Sequence, residues 1–268
     1  MTGGASGLGA ALAARWAARG DRVLVGDLPA LRPAGLPPSV LYQRLDITDE
    51  ADWAAVVERA RREWGVLDVL VNNAGVAAGG RIDLLDDAQW RRVLDVNVLG
   101  TVNGCRAVVP LLKQQGYGHL VNIASVAGLV HPAVMSSYSA SKAAVVALSE
   151  SLRHELYPWG IDVSVVCPSF FRTNLASSLS GADPLADRIA TRQITGASRS
   201  ADQIAERTIR GIDARRFLVL PDPAARRAFW TKRLARPLYD RQMIAAGQKL
   251  GRAGMDEPDP STTQGSPA

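Results

Sequence analysis

Tyr138 and Lys142 stand four residues apart in Tyr138-Ser-Ala-Ser-Lys142. On a helix that spacing stacks both side chains on one face, with Cβ atoms about 5–6 Å apart. A nearby ammonium favours the phenolate over the phenol. A group that ordinarily titrates near 10 can then exchange protons close to neutrality, which is the work of a general acid/base. Ser125 ends the apolar run His119-Leu-Val-Asn-Ile-Ala-Ser125, a strand pattern. The carboxyl ends of strands are where open α/β sheets bind ligands. The same Tyr/Lys spacing also occurs on ordinary solvated helix faces, so its meaning rests on the elements that position it.

The chain opens Met1-Thr-Gly-Gly-Ala-Ser-Gly-Leu-Gly9. A glycine-rich turn brings backbone N–H groups close to a pyrophosphate and feeds a helix whose N-terminus attracts anions. Gly3, Gly7 and Gly9 are its backbone-only positions. The helix continues through Leu12, Ala13, Trp16 and Ala17, and Gly20 is a natural C-cap. Such a turn should follow a strand, in a sheet where that strand lies centrally. No residues stand in front of it here. The expectation is a sheet lacking its first strand as written, with an upstream start as the preferred explanation.

Arg22-Val-Leu-Val-Gly-Asp27 reads as a short strand whose acid falls 18 residues after Gly9. An acid at that distance accepts hydrogen bonds from both adenosine ribose hydroxyls and repels a 2′-phosphate. Leu28 follows it and Ser6 precedes Gly7, so no cation stands ready to neutralise such a phosphate. NAD is expected over NADP. The alternative for Asp27 is an ordinary strand-end acid.

After a Pro-rich connection, Val40–Leu45 leads to Asp46, placed either at the adenine edge or as a cap-region acid. Trp53, Val56, Val57, Ala60 and Trp64 form a helical core stripe. Leu67–Val71 is a buried strand ending in Asn72-Asn-Ala-Gly75, which is either a close cofactor approach or a plain turn. A helix over 87–103 carries Asn97 among apolar neighbours, where an amide must be satisfied by a local bond or belong to a site. Val163–Val166 is a further strand.

Residues 174–198 read as a lid, with Leu175, Leu179, Leu185 and Ile189 as an apolar wall. That wall implies a partly hydrophobic ligand, or merely docks the lid on the core. His131 and Met135 are expected to border the pocket, with a surface loop the equal alternative for His131. Residues 200–211 read as a helix and Phe217–Leu220 as the last strand. A basic amphipathic helix from Pro223 to about Leu250 either covers the pocket mouth, packs on a second subunit or touches an anionic membrane. Pocket or subunit packing ranks first.

The chain has 268 residues, 47% of them hydrophobic, enough for one α/β domain. It divides into a main body over 1–222, a basic helical extension over 223–252 and a disordered tail over 253–268. No apolar run reaches the roughly 20 residues of a membrane span, and no signal peptide is seen, so a cytoplasmic protein is expected. Cys105 and Cys167 read as reduced core residues. Residues 202–252 carry 12 Lys/Arg against 5 Asp/Glu, while the remainder is slightly acidic. The basic character therefore belongs to the C-terminal region, and no metal site or nucleic-acid motif accompanies it.

Together these motifs resemble the short-chain dehydrogenase/reductase family. The matching residues are Thr2-Gly3 through Ser6-Gly7-Leu8-Gly9, Asp46, Asn72 to Gly75, Asn97, Ser125, Tyr138 and Lys142, and Pro168 with Thr173. They cover the chain from residue 1 to about 220.

The resemblance implies a doubly wound parallel α/β sheet of Rossmann type in a single domain. It implies catalytic Asn97, Ser125, Tyr138 and Lys142, with Lys142 holding the nicotinamide ribose and depressing the tyrosine pKa. It implies cofactor contacts from Gly3, Ser6, Gly7, Leu8, Gly9, Asp27, Asp46, Asn73, Ala74, Gly75, Pro168 and Thr173. A small alcohol or ketone substrate and a homodimer or homotetramer follow from the same resemblance. The chain departs from the family in the absent first strand and in Pro168-Ser169, where the family reads Pro-Gly. The competing readings are a non-catalytic NAD-binding regulator and an inactive, N-terminally truncated product.

Overall fold

The computed structural model describes residues 1–179, 181 and 183–255. The chain alternates strands and helices as its apolar periods require. It begins with α1 (Gly7–Arg19), β1 (Leu24–Asp27), β2 (Leu41–Arg44), α2 (Glu50–Trp64), β3 (Val69–Asn72) and α3 (Asp87–Leu94). There follow α4 (Gly100–Gln115), β4 (Gly118–Ile123), α5 (Ala127–Val130), α6 (Ser136–Leu156) and β5 (Ile161–Val166). The chain closes with α7 (Pro184–Thr195), α8 (Ala201–Asp213), β6 (Leu218–Val219), α9 (Pro223–Leu234) and α10 (Arg236–Met255).

Every pairing is parallel. β1 pairs with β2, and β3, β4, β5 and β6 form a second ladder in that order. Residues 1–3 occupy the slot between the two ladders. Thr2 bridges Gly26, and its N–H donates to Val71 O at 2.9 Å. Gly3 N donates to Gly26 O at 2.8 Å, and Gly26 N donates to Met1 O at 2.9 Å. The expected gap is thus bridged by three residues, with Met1's amino group buried against Leu24 O. The sheet order matches the doubly wound expectation with this stub at its centre.

Two cores form on opposite faces of the sheet. On one, Leu8, Leu12 and Trp16 of α1 and Ile204 and Ala205 of α8 cover Val25, Val71, Val121 and Val166. On the other, Trp53 of α2 and Val108 and Leu112 of α4 cover Leu70, Leu120 and Val163. Cys105 and Cys167 are free and buried, as expected.

Two expectations need correction. The helix expected over 87–103 is interrupted by a π-helical turn, Asp95–Leu99, with Asn97 at its centre. The single basic helix expected over 223–250 is two helices, broken at Ala235 (φ −132°, ψ 55°). Pro237 explains the break, because it cannot donate and its ring crowds the preceding turn, whereas the first turn of α10 tolerates it. α10 reaches Met255, three residues beyond the expected end of the extension. The rest of the expected tail lies outside the described residues. Among those residues, no helix is long and apolar enough to cross a membrane.

Candidate active site

The carboxyl ends of β1, β3, β4 and β5 open onto a cleft of about 580 Å³. The glycine turn forms one end of it. Gly3 has φ +62°, and a Cβ there would lie 2.7 Å from Ala74 Cα. Gly7 has φ +54°, and a Cβ there would lie 2.5 Å from Thr173 Oγ1. Both conformations suit glycine alone. Gly9 sits beneath the turn with no room at all, since an added Cβ would fall 2.1 Å from Gly3 O. Ser6 is the N-cap of α1 yet makes no side-chain capping bond, and the helix has no acid in its first turn. The N-terminus of α1 is therefore an open donor site for an anion.

Asp27 holds the turn. Its Oδ2 accepts from Ala5 N and its Oδ1 from Leu28 N, both at 2.8 Å. Across the ladder from it stands Arg44, which is engaged by Asp52 at 2.5 Å. Asp46 also lines the cleft and accepts from Thr48 N (2.9 Å) and Oγ1 (2.7 Å), bonds that hold its carboxyl below the usual range. The N-cap of α2 is Asp49 and not Asp46. Asn73 ties the turn to β3, with Nδ2 donating to Thr2 O and Gly3 O at 3.0 and 2.9 Å. Ala74 and Gly75 follow it along the cleft.

The other end of the cleft holds the acid–base candidates. α6 presents Tyr138 and Lys142, 8% and 5% exposed, and β4 delivers Ser125 just past its last residue. Lys142 Nζ donates to Ile123 O at 3.1 Å and lies 5.9 Å from the Tyr138 ring centre. Burial pushes the Tyr138 phenol up to about 12, although hydrogen bonding with Ser125 pulls it the other way. Burial likewise brings Lys142 down to about 8. The expectation of a lysine-depressed tyrosine is not met in this structure. Desolvation penalises the charged form of each group and is the largest cause of both shifts.

Asn97 does not line the cleft. It is fully buried behind it, with Nδ2 donating to Val76 O (3.0 Å) and Ser141 Oγ (3.1 Å) and Oδ1 accepting from Val76 N (2.9 Å). Its amide pins the loop after β3 to α6, beside Lys142. Pro168 and Thr173 line the cleft as expected, and Pro168 O accepts from Val126 N at 2.9 Å. Ser169, where the family reads glycine, has no positive φ. Its hydroxyl donates to Asp222 Oδ1 at 2.6 Å, and the same carboxylate caps α9 through Ala225 N at 2.8 Å.

The lid divides between two cavities. Leu175 and Leu179 face the main cleft, as expected, and Met135 borders it. Leu185 and Ile189 do not, because they line a second cavity of about 220 Å³ against Gly247 and Leu250 of α10. The cleft-facing stripe of α7 is instead Ala190 and Ile194. His131 takes its surface alternative: it is exposed, caps α5 in the left-handed region (φ 48°) and bonds Ala127 O through Nδ1.

Sequence reading missed the latch that seats the lid. Asp183, with its side chain 1% exposed, caps α7 and accepts from Arg81 N and Nε, both at 2.9 Å. Burial raises its pKa, but the Arg81 bonds outweigh that and hold the carboxyl low. Arg81 lies 102 residues away in the chain, so no local pattern announced the pair. Phe170 and Phe171, which also line the cleft, had a readable signal in their place directly after Pro168-Ser169.

Comparison with known proteins agrees with this architecture. The family model for short chain dehydrogenase matches residues 1–183. The chain is similar to 2-(R)-hydroxypropyl-CoM dehydrogenase of Xanthobacter autotrophicus, 37% identical over 203 residues, or 72% of this chain and 81% of that protein. A short chain dehydrogenase/reductase of Burkholderia phymatum, solved in complex with NAD, superposes with a TM-score of 0.80 at 32% identity, covering 89% of this chain and 93% of that one. A short chain dehydrogenase of Burkholderia cenocepacia, in complex with NADP, superposes at 0.78 with 25% identity, covering 91% and 95%. The chain belongs to the short chain dehydrogenase/reductase family, oxidoreductases that act on hydroxyl and keto groups.

Proposed function

We propose that the protein interconverts a secondary alcohol and a ketone with NAD(H), using Tyr138 as general acid/base. One observation carries this reading. A buried phenol, a buried ammonium and the Ser125 hydroxyl meet at one end of a cleft whose other end is a glycine cradle bearing an acid. Bound NAD(H) would supply or accept the hydride.

The chain's own groups divide the remaining work. The turn residues Gly3, Ser6, Gly7, Leu8 and Gly9, with the N-terminus of α1, hold the diphosphate. Asp27 receives the adenosine ribose and Asp46 the adenine edge, while Asn73, Ala74 and Gly75 flank the path between the ends. Pro168 and Thr173 close over the nicotinamide, and Lys142 with Tyr138 holds its ribose. Two supports favour NAD over NADP. The Asp27 carboxylate repels a 2′-phosphate, and Arg44, across the ladder from it, is already engaged by Asp52.

Tyr138 is protonated at neutral pH, with burial raising its pKa to about 12. It is thus set to give a proton to a ketone oxygen. Ser125 donates to the same oxygen and stabilises charge that develops there. Asn97 fixes the loop after β3 and α6 relative to each other, so the phenol keeps its place. Met135, Phe170, Leu175, Leu179 and Ile194 give the substrate end an apolar wall. That wall suits a partly hydrophobic substrate, in keeping with a relative named for a 2-hydroxypropyl group.

The test is Tyr138→Phe. Turnover of alcohols with NAD should fall by about 10³-fold or more, since a positioned acid/base contributes on the order of 10²–10⁴. NADH should still raise the melting temperature, because a ligand of the native state stabilises it. Full activity in the variant overturns the assignment, and an undiminished biological effect without turnover would mark a regulatory NAD-binding protein.

A further inference from the structure

The C-terminal hairpin carries a surface that neither the sheet nor the cleft explains. α9 turns Ala225 inward and is anchored to the body by Lys232, whose Nζ donates to Leu129 O at 2.5 Å. Its opposite face is left open. There Trp230 is 50% and Leu234 77% exposed, and at four residues' separation they stand on one face. Arg226, Arg227 and Arg233 lie three or four residues from Trp230 and flank that stripe. None of the three has a carboxylate partner among the described residues. The next helix continues the pattern with Leu238, 51% exposed. Residues 223–250 hold seven Lys/Arg and a single acid, Asp240.

We propose that this face of the hairpin binds the surface of an anionic phospholipid bilayer. The helices would lie in the headgroup layer, with Trp230 and Leu234 inserted and the arginines on lipid phosphates. Three occupants compete for a basic face with an apolar stripe, and charge and chemistry separate them. A second copy joined by a two-fold axis sets the same basic face against itself, so like charges are buried together. A nucleic acid satisfies the arginines, but its interfaces are polar and leave Leu234 without a partner. The bilayer interface satisfies both, because bulky apolar side chains enter the acyl boundary while cations attract anionic headgroups. Trp suits that boundary particularly well, with its apolar body and one donor. The hairpin also borders the lid, since α7 and α10 share the second cavity. A docked hairpin would therefore hold the lid side of the protein at the membrane.

The experiment is co-sedimentation of the full chain with phosphatidylcholine vesicles, with and without phosphatidylglycerol, at low and high salt. Binding is expected to the mixed vesicles alone, weakened on the order of tenfold or more by high salt as surface charges are screened. The double variant Trp230→Ala/Leu234→Ala should bind at least about tenfold more weakly, with its melting temperature unchanged, because both side chains are exposed. Arg226→Gln/Arg227→Gln should bind on the order of tenfold more weakly and lose part of the salt dependence. Three results would overturn the proposal. One is no vesicle binding, or equal binding to both compositions. Another is a drop in oligomer mass in Trp230→Ala/Leu234→Ala without vesicle binding. The last is tight binding to duplex DNA that Leu234→Ala leaves intact while vesicles are ignored.

Discussion

Asp183→Ala isolates the lid latch. The Asp183 carboxylate accepts from Arg81 N and Nε at 2.9 Å, from Arg81 Nη2 at 3.3 Å and from Ala186 N at 3.2 Å. Removing an N-cap acid costs about 1 kcal/mol. Stripping one partner from a fully buried ion pair costs about 3–5 kcal/mol. Arg81's side chain is 33% exposed, so the freed guanidinium recovers water and the pair's share falls well below that range. A total of about 2–3 kcal/mol is expected. It falls on docking of the lid, because the latch joins α7 to the loop after β3 and not to the sheet. If docking is coupled to substrate binding, about 2 kcal/mol corresponds to a rise of roughly 30-fold in KM. The dissociation constant for NADH should change little, because the contacts proposed for it lie outside residues 174–198. Steady-state kinetics and limited proteolysis of residues 174–198 read this out, and Asp183→Asn should fall between wild type and Ala. An unchanged KM and proteolysis rate, with the melting temperature lowered by the full amount, would show that the pair belongs to the global core. The latch reasoning would then be wrong.

Gly9→Ala should abolish NADH binding and lower stability by about 3 kcal/mol or more. Its Cβ would sit 2.1 Å from Gly3 O and 2.6 Å from Asn73 Nδ2, a backbone clash that no rotamer relieves; a variant with normal melting temperature and NADH shift would contradict this packing. Lys142→Met probes the buried ammonium through pH. The wild-type folded pKa near 8 lies below the free value of about 10.4. Between those values the unfolded chain holds a proton that the native chain has lost, so wild-type stability rises with pH relative to the variant. Below about pH 8 the wild type carries the full penalty of a buried charge, and the variant should there be the more stable of the two. Chemical denaturation of both proteins from pH 7 to 10 measures the difference. A difference independent of pH would show that Lys142 keeps its ordinary pKa.

The parts of this molecule legible in its sequence are those governed by neighbours in the chain. The glycine turn needs positive φ at Gly3 and Gly7, and only glycine supplies that without strain, so type and place coincide. Tyr138 and Lys142 share a face because helix geometry leaves no choice. Strand Leu67–Val71 and the helix carrying Trp53, Val57 and Trp64 announced themselves by their apolar patterns. Legibility failed where a one-residue phase or a long-range partner decides. On α7, Leu185 and Ile189 share one stripe and Ala190 and Ile194 another. Both stripes are apolar, so only the position of α10 tells which faces the substrate. Nothing in Asp95-Val-Asn-Val-Leu99 dictates a π turn, which follows from the Asn97 amide reaching Val76 and Ser141 on separate elements. The break before Pro237 was readable, because a proline inside a helical period ends or kinks it.

The tyrosine–lysine pair shows most clearly what spacing leaves out. Spacing brings two groups together but says nothing of the water around them. With water present, the ammonium lowers the phenol's pKa. Without it, burial penalises the charged form of each group, and their pKa values move to about 12 and about 8. Lys142 does not even aim at the phenol, since its Nζ is bound to Ile123 O. A lysine that acts mainly by holding a bound group explains its place beside Gly75 better than one that acts on the tyrosine directly. The phenol is thus held in its uncharged form, while the lysine keeps most of its charge at neutral pH. The phenol's proton-donating state is set by burial, with the Ser125 hydrogen bond opposing it.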